Sequence, residues 1–262
     1  MSASPEPREK PARGRRSFAA LAEVSAPRAR VEERVRWPYT LAGLALVPLL
    51  ASTLSAFWRC FSTVTLHHAL WKTAELWFFV VGLSLWLICW AGLRTRMFHL
   101  IYVFGHEWTH ALAAICSGGR VLRFPVISPS GGHVVTDRNN LFITLAPYVV
   151  PFFAVLVAAG FGGAQLIHPL PEEALWVLYS ALGFTWAFHV TFTVKTMRIH
   201  QPDFEETGRF FSSIVIGFGN VGLLSLLLVL ASPNISLETF FRLWLDQTVR
   251  AVVGICRVFG AA

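Results

Sequence analysis

Apolar stretches long enough to cross a membrane recur along this chain of 262 residues, and they limit its possible folds more than any other feature. A membrane-spanning helix needs about 20 predominantly apolar residues, because each residue advances the helix by about 1.5 Å. Apolar residues make up 55% of the sequence and charged residues 14%, which leaves few polar side chains to cover a water-soluble domain. The sequence therefore predicts an all-α, multi-pass integral membrane protein.

Six stretches are predicted to span the bilayer, and a seventh is predicted to lie along its surface. The spans are Tyr39–Trp58, Glu75–Leu93, Met97–Ser117, Leu141–Phe161, Ala174–Val194 and Ser213–Ala231. The seventh stretch, Leu237–Phe259, carries charged residues at a spacing near four, which is typical of an amphipathic interfacial helix. The predicted regions are a disordered basic tail (1–36), two N-terminal transmembrane helices (37–96), a membrane core (97–231) and the C-terminal amphipathic helix (232–262).

The net charge of +7 does not indicate a nucleic-acid partner, because the positive charge is concentrated at one end of the chain. Nine of the 22 Lys and Arg residues lie in the tail, mixed with Pro, Ser, Ala and Glu. This composition is typical of a disordered, solvated segment. The arginines next to the first span are predicted to contact anionic lipid headgroups, which makes the bilayer their partner.

The third predicted span contains the motif His106-Glu107-Trp108-Thr109-His110. Residues i and i+4 of an α-helix lie on one face, so His106 and His110 can bind one metal ion. Zinc is the usual ion for this spacing, and Glu107 is then placed to take a proton from a water molecule on the metal. Two histidines and a glutamate are costly in a bilayer unless they face a polar interior, which favours a metal site. The alternative is a buried polar cluster that only holds helices together.

A catalytic zinc ion usually has a third protein ligand. If the fourth span leaves the face where the motif helix ends and the fifth span returns to it, Lys195–Ser212 lies near His110. Asp203 is the best candidate in this segment, although it also suits the first turn of the helix that leads into the sixth span. His200 is the second candidate, and Glu205 and Glu206 are weaker. His189, in the fifth span, could also approach the site, but a lone histidine on an apolar helix is more often a hydrogen-bonded packing residue.

The segment Arg120–Thr136 is predicted to form a β-hairpin, because two β-branched runs flank a turn rich in Ser, Pro and Gly. An exposed hairpin edge beside the motif helix can bind an extended peptide by strand addition. A simple connecting hairpin that plugs the cavity is the alternative. The residues predicted to contact a substrate along this edge are Val121, Phe124, Val126, Gly131 and Gly132.

Together these segments resemble the membrane metallopeptidases of the site-2 protease class, and most closely the short bacterial branch without added domains. The resemblance covers Met97–Leu230. It is carried by Phe104–Ala114, Ser117-Gly118-Gly119-Arg120-Val121 and Ser130-Gly131-Gly132. It implies a metallopeptidase-like core at 97–231 in which His106, His110 and Asp203 bind Zn²⁺ and Glu107 is the general base. No small-molecule cofactor is implied.

The resemblance implies a zinc-dependent intramembrane endopeptidase that hydrolyses a peptide bond of a membrane-spanning protein, in the bacterial inner membrane. Two other functions stay open. Many members of the class have their aspartate in an Asn-Pro-x-x-Asp-Gly setting, whereas Gln201 and Pro202 precede Asp203 here. This departure favours a catalytically inactive membrane scaffold or binder. A metal-ion transporter is the third possibility, but no further set of ionisable residues continues across the predicted bilayer.

Overall fold

The structure, a computed structural model, describes residues 15–67, 70–93, 96–128, 131–199, 201–231, 235–258 and 260. Eight α-helices and one two-stranded antiparallel sheet are found in this part of the chain. The helices are α1 (Arg15–His67), α2 (Ala74–Gly92), α3 (Arg96–Cys116), α4 (Leu141–Val149), α5 (Phe152–Ile167), α6 (Glu172–Arg198), α7 (Arg209–Ala231) and α8 (Leu237–Val258). The strands are β1 (Val121–Ser128) and β2 (Gly131–Thr136), and 3-10 turns occur at Leu70–Lys72 and Pro202–Phe204. The predicted all-α membrane fold with a short hairpin after the motif helix is confirmed.

Four helices are long and apolar enough to cross a membrane: α1 over Trp37–His67, α2, α6 and α7. Helices α4 and α5 make a fifth candidate if they are counted as one broken span, since their axes are bent by 74°. The prediction of six spans therefore differs from the structure at two places. The predicted fourth span is broken before Pro151, because a residue that precedes proline is driven towards extended backbone, as Val150 is. The motif helix α3 is not among the candidate spans, because its own histidines and glutamate lower its mean hydropathy.

Residues 15–36 of the predicted tail continue α1 towards the N-terminus. This stretch is rich in Ala, Glu and Arg, which have high intrinsic helix propensity. A composition typical of disorder does not exclude such a propensity. Residues 1–14 lie outside the described part of the chain, as does Phe259 of the predicted C-terminal helix.

Helix α8 is not among the candidate spans, and it packs along α1. The indole N–H of Trp244 in α8 donates a hydrogen bond to the Thr53 hydroxyl in α1 at 2.8 Å. On the exposed side, Asp246 and Arg250 pair one helical turn apart. The helix thus has one face on the protein and another with charged side chains, as an interfacial helix requires.

The tightest helix pair is α2 with α6, and two glycines make its closeness possible. Gly82 lies against the backbone carbonyl of Ser180, and Gly183 lies against that of Phe79. A Cβ atom at either glycine would overlap these carbonyl groups. Removing side chains lets two helices approach closely in a bilayer, where their attraction comes mainly from packing contacts. The crossing therefore holds α6 in place, and α6 leads into the segment that carries Asp203.

An aromatic cluster connects this helix pair to the motif helix. The indole ring of Trp86 is fully buried and packs edge-on against Phe188 at 4.8 Å between ring centroids. The ring of Phe192 stacks on that of Tyr102 at 4.6 Å, with only 9° between their planes. Because Tyr102 lies one turn before the first motif histidine, this contact sets the position of α3 relative to α6.

The hairpin packs on α3 directly after that helix ends. Strands β1 and β2 pair antiparallel, with Ser128 opposite Gly131, and the register becomes irregular between Arg123 and Val126. Pro125 lies in that interval and has no N–H to donate to the partner strand, which accounts for the irregularity. The hairpin covers one side of the motif helix, and α4 packs on another.

Candidate metal centre

The structure brings three of the predicted site residues together. The Nε2 atoms of His106 and His110 lie 3.2 Å apart, as expected for histidines one helical turn apart. Oδ2 of Asp203 lies 3.3 Å from the first and 3.6 Å from the second. In the described ranges, these three residues are the one group of His, Cys, Asp or Glu whose ligand atoms are close enough to hold a metal ion.

The spacing and the hydrogen bonds of this group fit a zinc ion. Zinc bonds of 2.0–2.1 Å in a tetrahedron separate neighbouring ligand atoms by about 3.3 Å, which is close to the three distances observed. Nδ1 of His110 lies 2.8 Å from the carbonyl oxygen of Ile143. A carbonyl only accepts, so Nδ1 carries the proton and Nε2 has a free lone pair directed at its neighbours. Nδ1 of His106 contacts the Tyr102 hydroxyl at 3.3 Å.

Asp203 reaches the histidines because its 3-10 turn is anchored by the next residue. Phe204 is buried in a cluster with Leu145, Tyr148 and Ile216. The Glu205 N–H donates to the Pro202 carbonyl at 3.0 Å and closes this turn. The Gly208 N–H donates to the Phe204 carbonyl at 2.8 Å in the turn that follows, where Gly208 has a φ of 77° that favours glycine. Helix α7 begins only at Arg209, so Asp203 does not cap it.

The Asp203 carboxylate is held in its charged form. Burial alone raises its pKa, but the neighbouring His106 and His110 side chains outweigh burial, and the pKa lies below its ordinary value. The Tyr148 hydroxyl donates a hydrogen bond to Oδ2 at 2.6 Å. A negative oxygen beside two imidazole nitrogens is a favourable set of ligands for a divalent cation.

Glu107 lies in the same cavity, and strand β2 covers it. The cavity has a volume of about 1060 Å³ and is lined by the three clustered residues together with Glu107. Only 7% of Glu107 is exposed. Gly132 lies so close that a Cβ atom there would overlap the Glu107 side chain. A Cβ atom at position 132 would therefore force either Glu107 or β2 to shift.

The edge of β2 borders the cavity along its whole length, since residues 131–136 all line it. Successive residues of a strand point to opposite faces, so six consecutive lining residues mean that the strand edge faces the cavity. Of the hairpin residues predicted to contact a substrate, Gly131 and Gly132 are at the cavity. Val121 and Phe124 belong to the outer strand and are not part of the lining. Val126 pairs with His133 in the hairpin, and its side chain is outside the described part.

The weaker candidates for a third ligand do not join the cluster. Glu205 and Glu206 line the same cavity but do not belong to the group of potential ligands. His189 is buried in α6 and lies outside the group of potential ligands. His200 is outside the described residues.

Sequence reasoning missed two tyrosines that contact the potential ligands, and an asparagine that donates to the backbone of one of these tyrosines. Tyr102 precedes His106 by four positions, so helical spacing alone could have found it. Tyr148 and Asn220 are polar residues within apolar stretches, which is a signal of function in a membrane. No local pattern, however, indicates that Tyr148 lies at Asp203 or that Asn220 donates to the Tyr148 carbonyl.

Comparison with known protein families gives one match to the chain. A family model described as "Peptidase M50B-like" matches residues 79–197, a range that includes the motif helix and the hairpin and ends before Asp203. No curated protein and no solved structure matches the chain. The family match confirms the resemblance to the site-2 protease class: residues 79–197 of this integral membrane protein form a Peptidase M50B-like region.

Proposed function

We propose that this membrane protein is a zinc-dependent intramembrane endopeptidase that hydrolyses a peptide bond of a membrane-spanning protein. One observation carries the proposal: the close approach of His106 Nε2, His110 Nε2 and Asp203 Oδ2, with Glu107 in the same cavity. His106, His110 and Asp203 are the proposed zinc ligands. The Peptidase M50B-like match supports a peptidase function for this region. The proposed location is the inner membrane of a bacterium.

Glu107 is the proposed general base. A zinc ion bound at the three ligands supplies Lewis acidity towards a carbonyl oxygen and a water molecule. Glu107 accepts a proton from that water as its oxygen adds to the scissile carbonyl carbon, and gives the proton to the amine nitrogen as the C–N bond breaks. His110 keeps its lone pair towards the metal because its other nitrogen donates to Ile143. The cover of Gly132 on Glu107 limits the entry of bulk water.

The edge of β2 is the proposed binding site for the unwound substrate. A peptide bond inside a transmembrane helix is shielded by its helical hydrogen bonds, so the substrate must unwind locally before hydrolysis. An extended segment that adds to a sheet edge regains backbone hydrogen bonds there. Residues 131–136 provide such an edge along the cavity that contains Glu107. In the described part of the chain, β2 pairs with β1 on one side only.

The test compares the wild-type chain with Glu107→Gln in liposomes, using a set of purified single-span membrane proteins as substrates. New peptide termini are detected by mass spectrometry, and zinc is measured in the same samples. We expect one zinc per chain in both proteins. Loss of the general base should lower cleavage by roughly 10²- to 10⁴-fold. Glu173→Gln, at the exposed first turn of α6, is the control and should cleave like wild type.

Three results would contradict the proposal. Cleavage that persists in Glu107→Gln would remove this residue from the mechanism. A zinc-loaded wild type that cleaves none of the substrates, but retains them through the hairpin, would support the inactive scaffold or binder. Absence of zinc from the wild type would contradict the metal site itself.

A further inference from the structure

We propose that α4 is the element that orients the metal site, through a hydroxyl group that fixes Asp203 and a backbone carbonyl that fixes His110. This inference rests on the proposed zinc site and assigns two residues, Tyr148 and Pro147, a positioning role in it. Both lie at the end of the short helix that precedes the break in the fourth apolar stretch. Neither is a proposed zinc ligand.

Tyr148 determines which oxygen of Asp203 faces the histidines. Its hydroxyl donates to Oδ2 at 2.6 Å, the same oxygen that lies 3.3 Å from His106 Nε2. A hydrogen bond to an ionised carboxylate is about twice as strong as one between neutral groups. Because Asp203 lies in a 3-10 turn rather than in a long helix, its side chain needs such a contact to keep one orientation.

Tyr148 is itself held on several sides. Its side chain is fully buried, and its ring packs against Phe204 at 4.9 Å between centroids. The His106 ring lies edge-on to it at 5.1 Å. The Tyr148 carbonyl is among the last carbonyls of α4, which have no partner within the helix, and Asn220 of α7 donates to it at 2.8 Å. The hydroxyl is therefore presented to Asp203 from a fixed frame.

Pro147 affects His110 because it leaves the Ile143 carbonyl without its usual helical donor. In a regular helix, the N–H at position 147 would donate to the carbonyl of Ile143, four residues earlier. Proline has no N–H, so that carbonyl is left free inside α4. His110 Nδ1 donates to it at 2.8 Å instead. The proline thereby selects the tautomer of His110 whose Nε2 can bind a metal ion.

Replacing Pro147 should affect stability and metal binding in opposite ways. Pro147→Ala removes a residue that disfavours helix interiors, so α4 should become no less stable. The new N–H competes with His110 for the Ile143 carbonyl, so zinc binding should weaken. A residue that served only the packing of α4 would not separate these two properties.

The experiment measures the zinc dissociation constant of the purified full-length chain in detergent by competition with a chelator. Thermal unfolding of each variant is followed with zinc removed. For Tyr148→Phe we expect the dissociation constant to rise by roughly 10- to 100-fold, as for other residues that orient metal ligands. For Pro147→Ala we expect a rise of roughly 3- to 10-fold, equivalent to one neutral hydrogen bond, with no loss of thermal stability. Tyr39→Phe, whose ring packs on Phe211, is the matched control and should bind zinc like wild type.

A double-mutant cycle tests whether Tyr148 acts through Asp203. In an Asp203→Ala background, adding Tyr148→Phe should change the remaining two-histidine affinity by less than roughly twofold, because the shared partner is gone. An undiminished effect in that background would overturn the assigned role. So would wild-type zinc affinity in both Tyr148→Phe and Pro147→Ala, and in that case the proposed zinc site would still stand. If the wild-type chain binds no zinc, the proposed function fails first, and this inference fails with it.

Discussion

The α2–α6 crossing and the candidate metal centre beside α3 and α4 both bring distant segments into close contact, but they do so by opposite means. At the crossing, Gly82 and Gly183 have no side chain, and each lies directly on a backbone carbonyl of the other helix. At the candidate metal centre, polar groups meet through short hydrogen bonds, including the Tyr148 hydroxyl to Asp203 at 2.6 Å and His110 to the Ile143 carbonyl at 2.8 Å. At its two glycines the first contact is made by packing, whereas the second is made by polar groups that satisfy one another.

The bilayer explains why both solutions occur in one chain. Apolar helices gain little from leaving lipid for protein, so close packing between backbones becomes the main source of their association. Polar groups are costly in the same surroundings, so each must have a partner, and a cluster of partners tends to have a function. We therefore expect changes at the crossing to affect folding, and changes at the centre to affect metal binding and catalysis.

The largest effect is expected at the crossing. Gly183→Ala adds one Cβ atom, which would overlap the Phe79 carbonyl, and should destabilise the fold by about 3 kcal/mol or more. Gly222→Ala, in α7, meets nothing within 4 Å and should stabilise by up to about 1 kcal/mol through helix propensity. Thermal unfolding in detergent and the yield of monodisperse protein measure both changes. Equal stability of the two variants would mean that the crossing is not the tight contact described.

The next effect is expected at the third proposed ligand. Asp203→Ala should raise the zinc dissociation constant by more than about 100-fold, since losing a group that only orients a ligand already costs 10- to 100-fold. Glu206→Ala, which lines the cavity outside the cluster, should leave zinc binding within a few fold of wild type. Metal analysis after dialysis against a chelator distinguishes the two. Retained tight binding in Asp203→Ala would transfer the role to another residue.

A smaller effect, on catalysis alone, is expected where the hairpin covers the motif. Gly132→Ala should displace either β2 or Glu107, and a displacement of about 1 Å can lower a rate by about 100-fold. Zinc affinity should stay within a few fold, because the three proposed ligands are not touched. Gly162→Ala, in α5, meets nothing within 4 Å and serves as the control for added bulk. Cleavage at the wild-type rate in Gly132→Ala would show that β2 need not lie on Glu107.

The smallest effects are expected at the helix caps of the two regions. Asn140 caps α4 by accepting from the Ile143 N–H at 2.8 Å, and Thr73 caps α2 by accepting from the Leu76 N–H at 3.4 Å. Replacing either with alanine should cost about 1 kcal/mol of stability. Only Asn140→Ala should also weaken zinc binding, because it loosens the turn of α4 that contacts His110. Equal zinc affinities in the two variants would weaken the assigned role of α4.

The sequence was informative where the contacts are local or repeat along the chain. The four-residue spacing of His106 and His110 predicted that they share a helix face, and the turn before Gly131 predicted the hairpin. The length of the apolar stretches predicted the helices, but it did not predict that the fourth stretch is broken at Pro151. The predicted topology made Asp203 the best of several candidates for a third ligand. Only the fold brought its carboxylate close to both histidines.

What the sequence determined by itself is the membrane environment, the helical class and the pair of histidines that begins the site, because each depends on spacing along one segment. Only the tertiary structure decided that β2 lies over Glu107, that Asp203 reaches both histidines and that α4 supports them. Those contacts join residues such as Tyr148 and Asp203 that are far apart in the chain. They exist because packing of α2 on α6, and of Phe204 in its cluster, brings the segments to one place. Spacing within a segment carries no information about that packing.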